Sequence, residues 1–352
     1  MSGASSLPRR LRRRLLTRSL QDLVNWSPLE EPRPGYTIVI GCVTDLAGIA
    51  LANLKALERC DLSRCAQLTL VFDRPLSEVH ILNELPQSVG GVPLCVLGYS
   101  ARQARTSRRI GWGWVYSWLS WSIGVGAAQT RAVCLHDLDA MPLAADLFER
   151  LFDEFERSGA TFQGVRPYSG NGFVEEDGFV TTYEMFLDAS VLRERARAIE
   201  AFSRFGKRDG VWVDYDTFLY LEERLGGRHL FEVDPEELFH PSQLLCQYTD
   251  HLNDSDRLPA GGGNLSLLAY LQYVGGESAP LDAAREALEA GGTSVPVGPR
   301  ALDLAALPLE RFDWQETQVQ RLESFLYDGV RPEVDAWLAA LRRALSAAGT
   351  KT

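Results

Sequence analysis

Short apolar runs and helical patterns alternate along the first part of the chain. The runs are continuously apolar, which is typical of strands that are covered on both faces of a sheet. Strands that alternate with helices predict an α/β fold, with a mostly parallel twisted sheet flanked by helices. We predict strands over 36–43, 67–72, 93–97 and 132–135, and helices over 47–59 and 110–128.

The second predicted helix lies in a stretch without charge. Residues 110–130 contain no charged side chain, and a stretch of that length can span a bilayer. It also contains four glycines, three serines and four tryptophans, and it ends in the polar pair Gln129 and Thr130. We therefore expect a buried helix packed on the sheet, and a transmembrane helix is the alternative. Apolar side chains at helical spacing are Trp114, Trp118, Trp121 and Val125.

The pattern loosens after residue 140. Strands are predicted over 161–165 and 179–186, and turn-forming residues fill 169–172 and 175–178 between them. These two turns are candidates for the wall or lid of an acceptor site, and plain hairpin turns are the alternative.

The chain ends in a predicted amphipathic helix between Pro332 and Gly349. Its apolar face suits core packing or a partner interface. We divide the chain into a basic arm with a proline-rich linker (1–34), an α/β domain (35–275) and a helical C-terminal appendage (276–352).

Composition narrows the functional classes. The chain has 352 residues, of which 45% are hydrophobic, as in ordinary globular proteins. Its formal charge of −11 argues against a general nucleic-acid binder. Its six cysteines show no C-x-x-C pair and no zinc spacing, which favours a reduced, cytoplasmic setting.

The N-terminal arm reverses the charge balance. Leucines at 11, 15, 16 and 20 fit one face of a helix between arginines. Such a basic amphipathic helix lies on anionic membrane surfaces, so we expect peripheral contact at the inner face of the membrane. A solvated tail and an organelle-targeting leader are the alternatives. The arginines are Arg9, Arg10, Arg12, Arg13, Arg14 and Arg18.

Two carboxylates follow the apolar strand 132–135. Asp137 and Asp139 are one residue apart, so in extended chain their side chains point the same way. They come just beyond the carboxyl end of a strand, where open α/β sheets bind ligands. Two aligned carboxylates predict a site for Mn²⁺ or Mg²⁺. The D-x-D pattern also occurs at 214/216 and 254/256, and a turn that caps the next helix is the alternative for 137/139.

With these elements in this order, the chain resembles the GT-A-type nucleotide-sugar glycosyltransferases. It resembles most the retaining group that includes bacterial lipopolysaccharide galactosyltransferases and glycogenin. The resemblance covers about residues 36–245. The matching segments are the strand end Thr44-Asp45, the strand end at Asp73, the stretch CLHDLDAMPL around Asp137, and VDYDTFL over 213–219.

The resemblance implies roles for these residues. Thr44, Asp45 and Asp73 would lie at the nucleoside pocket, and Asp137 and Asp139 would hold metal and diphosphate. Two departures stand out: His136 replaces an apolar residue, and Leu219 stands where an asparagine is expected. The family's late histidine motif is absent in its usual form. His240 is the nearest candidate third metal ligand, with His251 as a second option, and a satisfied surface histidine is the alternative for either.

The chemistry of glycosyl transfer suggests further residues. Arg108 and Arg109 precede the uncharged helix and suit bidentate contacts to phosphate, or a solvated helix start. Asp214 and Asp216 are the candidate catalytic carboxylates, either below an oxocarbenium-like sugar ring or as base for the acceptor hydroxyl. Helix capping is the alternative for that pair.

The sequence predicts a metal-dependent hexosyltransferase of polysaccharide biosynthesis. We expect it to move sugar from a nucleotide-diphosphate sugar, a UDP-sugar, to a glycan, glycolipid or cell-envelope acceptor. A sugar-phosphate nucleotidyltransferase and a non-catalytic binding protein of the same fold are the alternatives. The loop after the first strand argues against the nucleotidyltransferase, because it has one glycine and a late Lys55.

Overall fold

A computed structural model describes residues 7–253, 262–304, 307 and 309–349. The chain divides into two compact units. The first comprises the described residues of Met1–Thr44, Asp61–Asp137 and Asp146–Asp234. The second comprises the described residues of Asp45–Cys60, Leu138–Ala145 and Pro235–Thr352. The boundaries that we predicted from sequence stay a prediction.

Strands of the first unit form an eight-stranded sheet and a hairpin. The second unit contains two short antiparallel pairs. In chain order the strands are β1 (Arg33–Cys42), β2 (Cys65–Phe72), β3 (Ser88–Val89), β4 (Val92–Gly98), β5 (Thr130–His136), β6 (Met141–Pro142), β7 (Phe162–Gly164), β8 (Met185–Asp188), β9 (Arg204–Arg208), β10 (Val211–Tyr215), β11 (Arg228–Leu230), β12 (Leu238–Phe239), β13 (Ser294–Val297) and β14 (Arg300–Asp303).

The eight-stranded sheet has the order β11-β7-β8-β5-β1-β2-β4-β3. Strands β5, β1, β2 and β4 are parallel neighbours, whereas β8 runs antiparallel to both β5 and β7. Because β5, β1 and β2 are adjacent and parallel, their carboxyl ends lie at one edge of the sheet. The predicted α/β fold, with a mostly parallel sheet and a helical C-terminal region, is confirmed.

Helices make up most of the remaining structure. In chain order they are α1 (Leu7–Leu20), α2 (Ala47–Glu58), α3 (Ala101–Ile110), α4 (Gly113–Ala127), α5 (Leu147–Ser158), α6 (Ala189–Arg195), α7 (Leu219–Leu225), α8 (Leu244–Leu252), α9 (Leu268–Gly275), α10 (Ser278–Glu289), α11 (Leu309–Tyr327) and α12 (Pro332–Gly349). Of these, α2 and α8–α12 belong to the second unit.

The uncharged helix is buried, as the sequence predicted. Trp118, Trp121 and Val125 of α4 are all buried, and Trp118 donates a hydrogen bond of 2.8 Å to the carbonyl of Ala198. Gly124 lets this helix approach β1 closely, because a Cβ there would lie 2.1 Å from Cγ1 of Val39. Within the described residues, no helix is both long enough and apolar enough to cross a membrane.

The strand predicted over 179–186 is wrong in its extent. Only Met185–Asp188 forms a strand, and it pairs with β5 and β7. Glu184 interrupts the run because it adopts a positive φ of 50°, which a strand does not allow. The apolar pattern of 179–186 therefore indicated burial and not a continuous strand, since Phe179 and Val180 are also buried.

The arm forms the predicted helix, but a different face of it is buried. Leu20 is buried, whereas Leu11 and Leu15 are exposed. Arg13 is buried in their place, among aromatic rings of the first unit. An arginine can occupy such a position when its charge is paired and its plane stacks on aromatic rings.

The C-terminal helix of the second unit buries its predicted apolar face. Trp337 stacks on Tyr270 with the ring centroids 5.9 Å apart. The carboxylate of buried Glu323 accepts hydrogen bonds from the Tyr270 hydroxyl and from the Arg331 guanidinium. The buried residues of that face are Val334, Trp337, Leu338, Leu341 and Leu345.

Replacing Gly124 with alanine is expected to destabilise the fold by about 1–3 kcal/mol, because the new methyl group must displace Val39. Urea unfolding measures this loss. Gly126→Ala is the matched control on the same helix, since its nearest neighbour is a Trp26 ring atom at 3.3 Å. Equal stability of the two variants would contradict the close approach of α4 to β1.

Candidate functional site

The carboxyl ends of β1 and β2 are tied together by a threonine and an aspartate. The backbone N–H and the hydroxyl of Thr44 donate hydrogen bonds of 2.9 and 2.6 Å to the same oxygen of Asp73. The N–H of Asp73 in turn donates to the carbonyl of Cys42 at 3.0 Å. Two of the predicted nucleoside-pocket residues therefore meet at one edge of the sheet.

The turn around Asp139 is held by a buried amide. Asn53 of α2 is fully buried, and its Nδ2 donates to the carbonyls of Leu138 (3.1 Å) and Ala140 (2.9 Å). These two carbonyls flank Asp139, whose side chain is also buried. Both buried carbonyls are therefore satisfied, and the hydrogen bonds hold the turn on either side of Asp139 against α2.

A short strand pair places His240 beside Asp139. Strand β6 begins directly after the Asp139 turn and pairs antiparallel with β12, with Met141 opposite Phe239. His240 directly follows β12, and because the pair is antiparallel it lies beside the turn that precedes β6. Its Nε2 lies 3.9 Å from Oδ1 of Asp139, and both side chains are largely buried.

Asp137 joins this pair through the local chain. It ends the segment Asp61–Asp137 of the first unit and is connected to Asp139 through Leu138 alone. Within the second unit, Asp139 and His240 offer a carboxylate and an imidazole, and Asp137 offers a second carboxylate two residues before Asp139 in the sequence. Two carboxylates and an imidazole are a donor set that fits a divalent cation, and three protein ligands leave coordination positions for substrate oxygens.

The histidine before Asp137 has a structural partner. His136 and Glu184 are both fully buried, and their Nδ1 and Oε1 atoms lie 2.5 Å apart. The His136 ring also packs against Phe148. A buried histidine needs a hydrogen-bond partner, and Glu184 supplies one. The chain can therefore carry a polar residue at this position, where an apolar residue was expected.

Asp214 lies on β10 and is paired with the N-terminal helix. Its two oxygens lie 3.3 and 3.5 Å from the terminal nitrogens of Arg13, whose side chain is 9% exposed. The Arg13 guanidinium stacks between aromatic rings, with its central carbon 4.1 Å from Trp112. Burial raises the pKa of Asp214 to about 6, and the charge of Arg13 opposes this rise.

Asp216 lies two residues further on, where the chain leaves β10. Its Oδ1 accepts the N–H of Thr217 at 2.7 Å. Burial raises the pKa of Asp216, and the charge of Asp137 adds to this rise, whereas Arg13 opposes it. Asp216 is therefore close enough to Asp137, a candidate metal ligand of the same unit, for their charges to interact. The capping alternative receives no support, since no side chain caps α7.

The glycine turn at 170–172 adjoins Asp214. The N–H of Asp214 donates to the carbonyl of Asn171 at 2.9 Å, and Nδ2 of Asn171 donates to the Tyr168 hydroxyl. Asn171 adopts a positive φ of 56°, as in a tight turn. The turn therefore lies next to a candidate catalytic residue, and its role as an acceptor wall stays a prediction.

The roles predicted for Arg108, Arg109, Asp45 and His251 stay predictions. Arg108 is exposed and forms an ion pair of 3.7 Å with Glu78, and Arg109 is exposed in the same last turn of α3. Asp45 is exposed and belongs to the second unit. His251 is buried in α8 and is not a member of the metal-ligand group. The third D-x-D pair, at 254/256, lies outside the described residues.

Sequence reasoning missed two residues that shape the site. Asn53 stands alone as a polar residue in the otherwise apolar stretch 47–54, and that isolation was a usable signal. Arg13 gave no such signal, because it is one of six arginines in the arm. Its burial depends on Trp112, Trp114 and Asp214, which are far away in sequence.

Comparisons with known proteins give weak likenesses. No family model and no curated protein matches the chain. Among solved structures, S. aureus TarS 1–349 has a TM-score of 0.37 at 8% identity, covering 90% of this chain and 92% of that one. The same TarS segment in complex with UDP-GlcNAc gives 0.37 at 9% identity, with the same coverage.

A Thermus thermophilus protein, 2-C-methyl-D-erythritol 4-phosphate cytidylyltransferase, gives a TM-score of 0.34 at 17% identity, covering 62% of this chain and 98% of that one. A glycosyltransferase and a nucleotidyltransferase are thus both among the likenesses, and all three TM-scores lie below 0.5. The function must therefore be argued from the residues of this chain.

Replacing Asn53 with leucine keeps the side-chain size but removes the donor to two buried carbonyls. We expect a loss of about 2–6 kcal/mol in the free energy of unfolding, since each of the two unsatisfied carbonyls costs about 1–3 kcal/mol. Urea unfolding measures the loss. Asn83→Leu, at an exposed asparagine, is the control and should change little. Equal stability of both variants would show that the turn does not need Asn53.

The raised pKa of Asp214 predicts a pH-dependent contribution to stability. The folded chain holds this proton more tightly than the unfolded one, whose value is about 3.8. The contribution is therefore present below pH 4 and is lost as the pH rises through about 6. As the pH rises between these limits, the free energy of unfolding of Asp214→Asn should increase relative to that of the wild type, by up to about 3 kcal/mol. Thermal unfolding across this range measures the gain. A constant difference, like that expected for exposed Asp22→Asn, would contradict it.

Proposed function

We propose that the chain is a metal-dependent glycosyltransferase. It would move a sugar from a nucleotide-diphosphate sugar, a UDP-sugar, to a glycan, glycolipid or cell-envelope acceptor. The observation that carries this proposal is the approach of His240 to Asp139, two residues after Asp137 at the carboxyl end of a parallel strand. Open α/β sheets bind ligands at this edge, and nucleotide diphosphates need cationic partners there.

In this proposal Asp137, Asp139 and His240 hold the divalent cation. The bound cation supplies Lewis-acid stabilisation to the leaving diphosphate. Asn53 acts as a positioning residue, because it fixes the turn that presents Asp139. Thr44 and Asp73, at the ends of the neighbouring parallel strands, form the floor against which the nucleoside lies.

The two carboxylates near β10 then serve the sugar and the acceptor. The acceptor oxygen forms a bond to the anomeric carbon as the bond from that carbon to the diphosphate breaks. Asp216, coupled to Asp137, supplies negative charge beside the developing oxocarbenium ion. Asp214 has a raised pKa, which suits a base that takes the proton of the acceptor hydroxyl in an inverting reaction. A retaining reaction would use the charge of Asp216 alone.

The nucleotidyltransferase alternative is weakened by Lys55. A catalytic lysine after the first strand would have to reach a phosphate, but Nζ of Lys55 donates a 2.7 Å hydrogen bond to the carbonyl of Val274. Burial lowers the pKa of Lys55, and the charge of Arg331 lowers it further.

The test is a thermal-shift screen with UDP, GDP, CDP and dTDP, each with and without Mn²⁺. One nucleotide should stabilise the wild type only with Mn²⁺, by about 2.7 kcal/mol at a hundred times its dissociation constant. Asp139→Asn should lose this shift, because it removes a metal ligand. Exposed Asp22→Asn is the matched control and should keep it.

A second measurement separates an enzyme from a binding protein of the same fold. The wild type should release the nucleotide diphosphate from its preferred donor in the presence of Mn²⁺, and Asp139→Asn should not. Stabilisation without any release, over long incubation and with added glycan acceptors, would favour the non-catalytic protein. No stabilisation by any nucleotide would overturn the proposal itself.

A further inference from the structure

A large cavity of the first unit lies between α1 and the β9–β10 hairpin, and its volume is about 760 Å³. That size is ordinary for a small-molecule site. Its lining is unusual in a chain with a formal charge of −11, because it is dominated by cations. Six arginines face it: Arg10, Arg13, Arg14, Arg18, Arg197 and Arg204.

Few of these cations form ion pairs with the described part of the chain. Within the described residues, Arg13 alone among the six forms an ion pair, with Asp214. The Nε atoms of Arg10 and Arg204 are buried and have no hydrogen-bond partner. Guanidinium groups that line one cavity repel each other, so an arrangement of this kind is stabilised when an anion occupies the cavity.

The other lining side chains are apolar, and several face solvent. Leu7 is 71% exposed, Leu11 is 57% exposed and Trp212 is 41% exposed. The guanidinium of Arg10 stacks on the Trp212 ring at 4.0 Å, so cationic and apolar surfaces are continuous. A water-soluble anion would leave this apolar surface uncovered, whereas a ligand with an apolar body would cover it.

The position of α1 makes the cavity a built site. Arg13 anchors this helix by stacking on Trp112 and Trp114 and by hydrogen bonds to Asp214 and Ser203. The same anchoring leaves Arg14 and Arg18 exposed along the cavity. The arm is therefore one wall of a binding site within the first unit.

We propose that this cavity binds a phosphorylated amphiphile, with its phosphate among the arginines and its apolar chain along Leu7, Leu11 and Trp212. Arginine is suited to phosphate because its planar fork offers paired donors. Arg13 contacts both the cavity and Asp214, so a ligand here lies next to a candidate catalytic carboxylate. If the proposed function is right, this amphiphile is the acceptor; the binding itself does not depend on it.

The experiment is calorimetric titration of the full chain with dihexanoyl phosphatidic acid below its micelle concentration. Glycerol 3-phosphate is the soluble phosphate, and dihexanoyl phosphatidylcholine is the zwitterion with matched chains. We expect the phosphatidic acid to bind at least about tenfold more tightly than either. Equal binding of glycerol 3-phosphate would overturn the amphiphile, and equal binding of phosphatidylcholine would overturn the role of the arginines.

Matched variants locate the site. Arg14→Gln should weaken binding about fivefold, and the Arg14→Gln/Arg18→Gln double variant more strongly. Arg12→Gln lies on the same helix but outside the cavity, and Arg102→Gln/Arg105→Gln removes two exposed charges from α3. These controls should keep wild-type affinity. Equal weakening in cavity and control variants would reduce the effect to net charge and overturn the proposal.

A second pair tests the apolar wall without touching charge. Leu11→Gln should weaken binding, whereas Leu15→Gln should not, because Leu15 is similarly exposed but does not line the cavity. Nucleotide-dependent thermal shifts are measured on the same samples. Lipid binding without any nucleotide shift would overturn the glycosyltransferase and keep the cavity. Nucleotide shifts without lipid binding would overturn the proposed amphiphile site and keep the glycosyltransferase.

Discussion

The parallel hydrogen bonding of β5, β1 and β2 is the constraint on which the first unit depends. It aligns the carboxyl ends of three strands, so Thr44, Asp73 and Asp137 lie at the same edge of the sheet. Backbone polar groups beyond the carboxyl ends of parallel strands have no partner within the sheet, so side chains or ligands must form hydrogen bonds with them. The chain meets that need in part by itself, through the hydrogen bonds from Thr44 to Asp73.

Within the second unit, two small devices have a similar role for Asp139. The β6–β12 pair sets the level of His240, and Asn53 fixes the carbonyls on either side of the aspartate. Neither device contributes a metal ligand. Both restrict the positions of Asp139 and His240, and supporting residues of this kind raise metal affinity where such side chains are ligands.

The sequence predicted the parts of the fold that depend on local pattern. The four apolar strands, the buried uncharged helix and the C-terminal amphipathic helix all follow from periodicity, and the structure confirms them. It failed where a distant partner decides the outcome. Arg13 is buried against Trp112 and Asp214, and the break before Met185 falls at Glu184, whose side chain pairs with His136. Patterns within a short window contain no information about such partners.

The contact between Arg13 and Asp214 spans 201 positions in the sequence, which matters during synthesis. At about 5–20 residues per second, roughly 10–40 s pass between the emergence of the arginine and that of its aspartate. During this interval the N-terminal helix lacks its aromatic and acidic partners, although its arginines and leucines are already outside the ribosome. The nascent chain therefore presents a basic amphipathic segment that the finished protein partly withdraws.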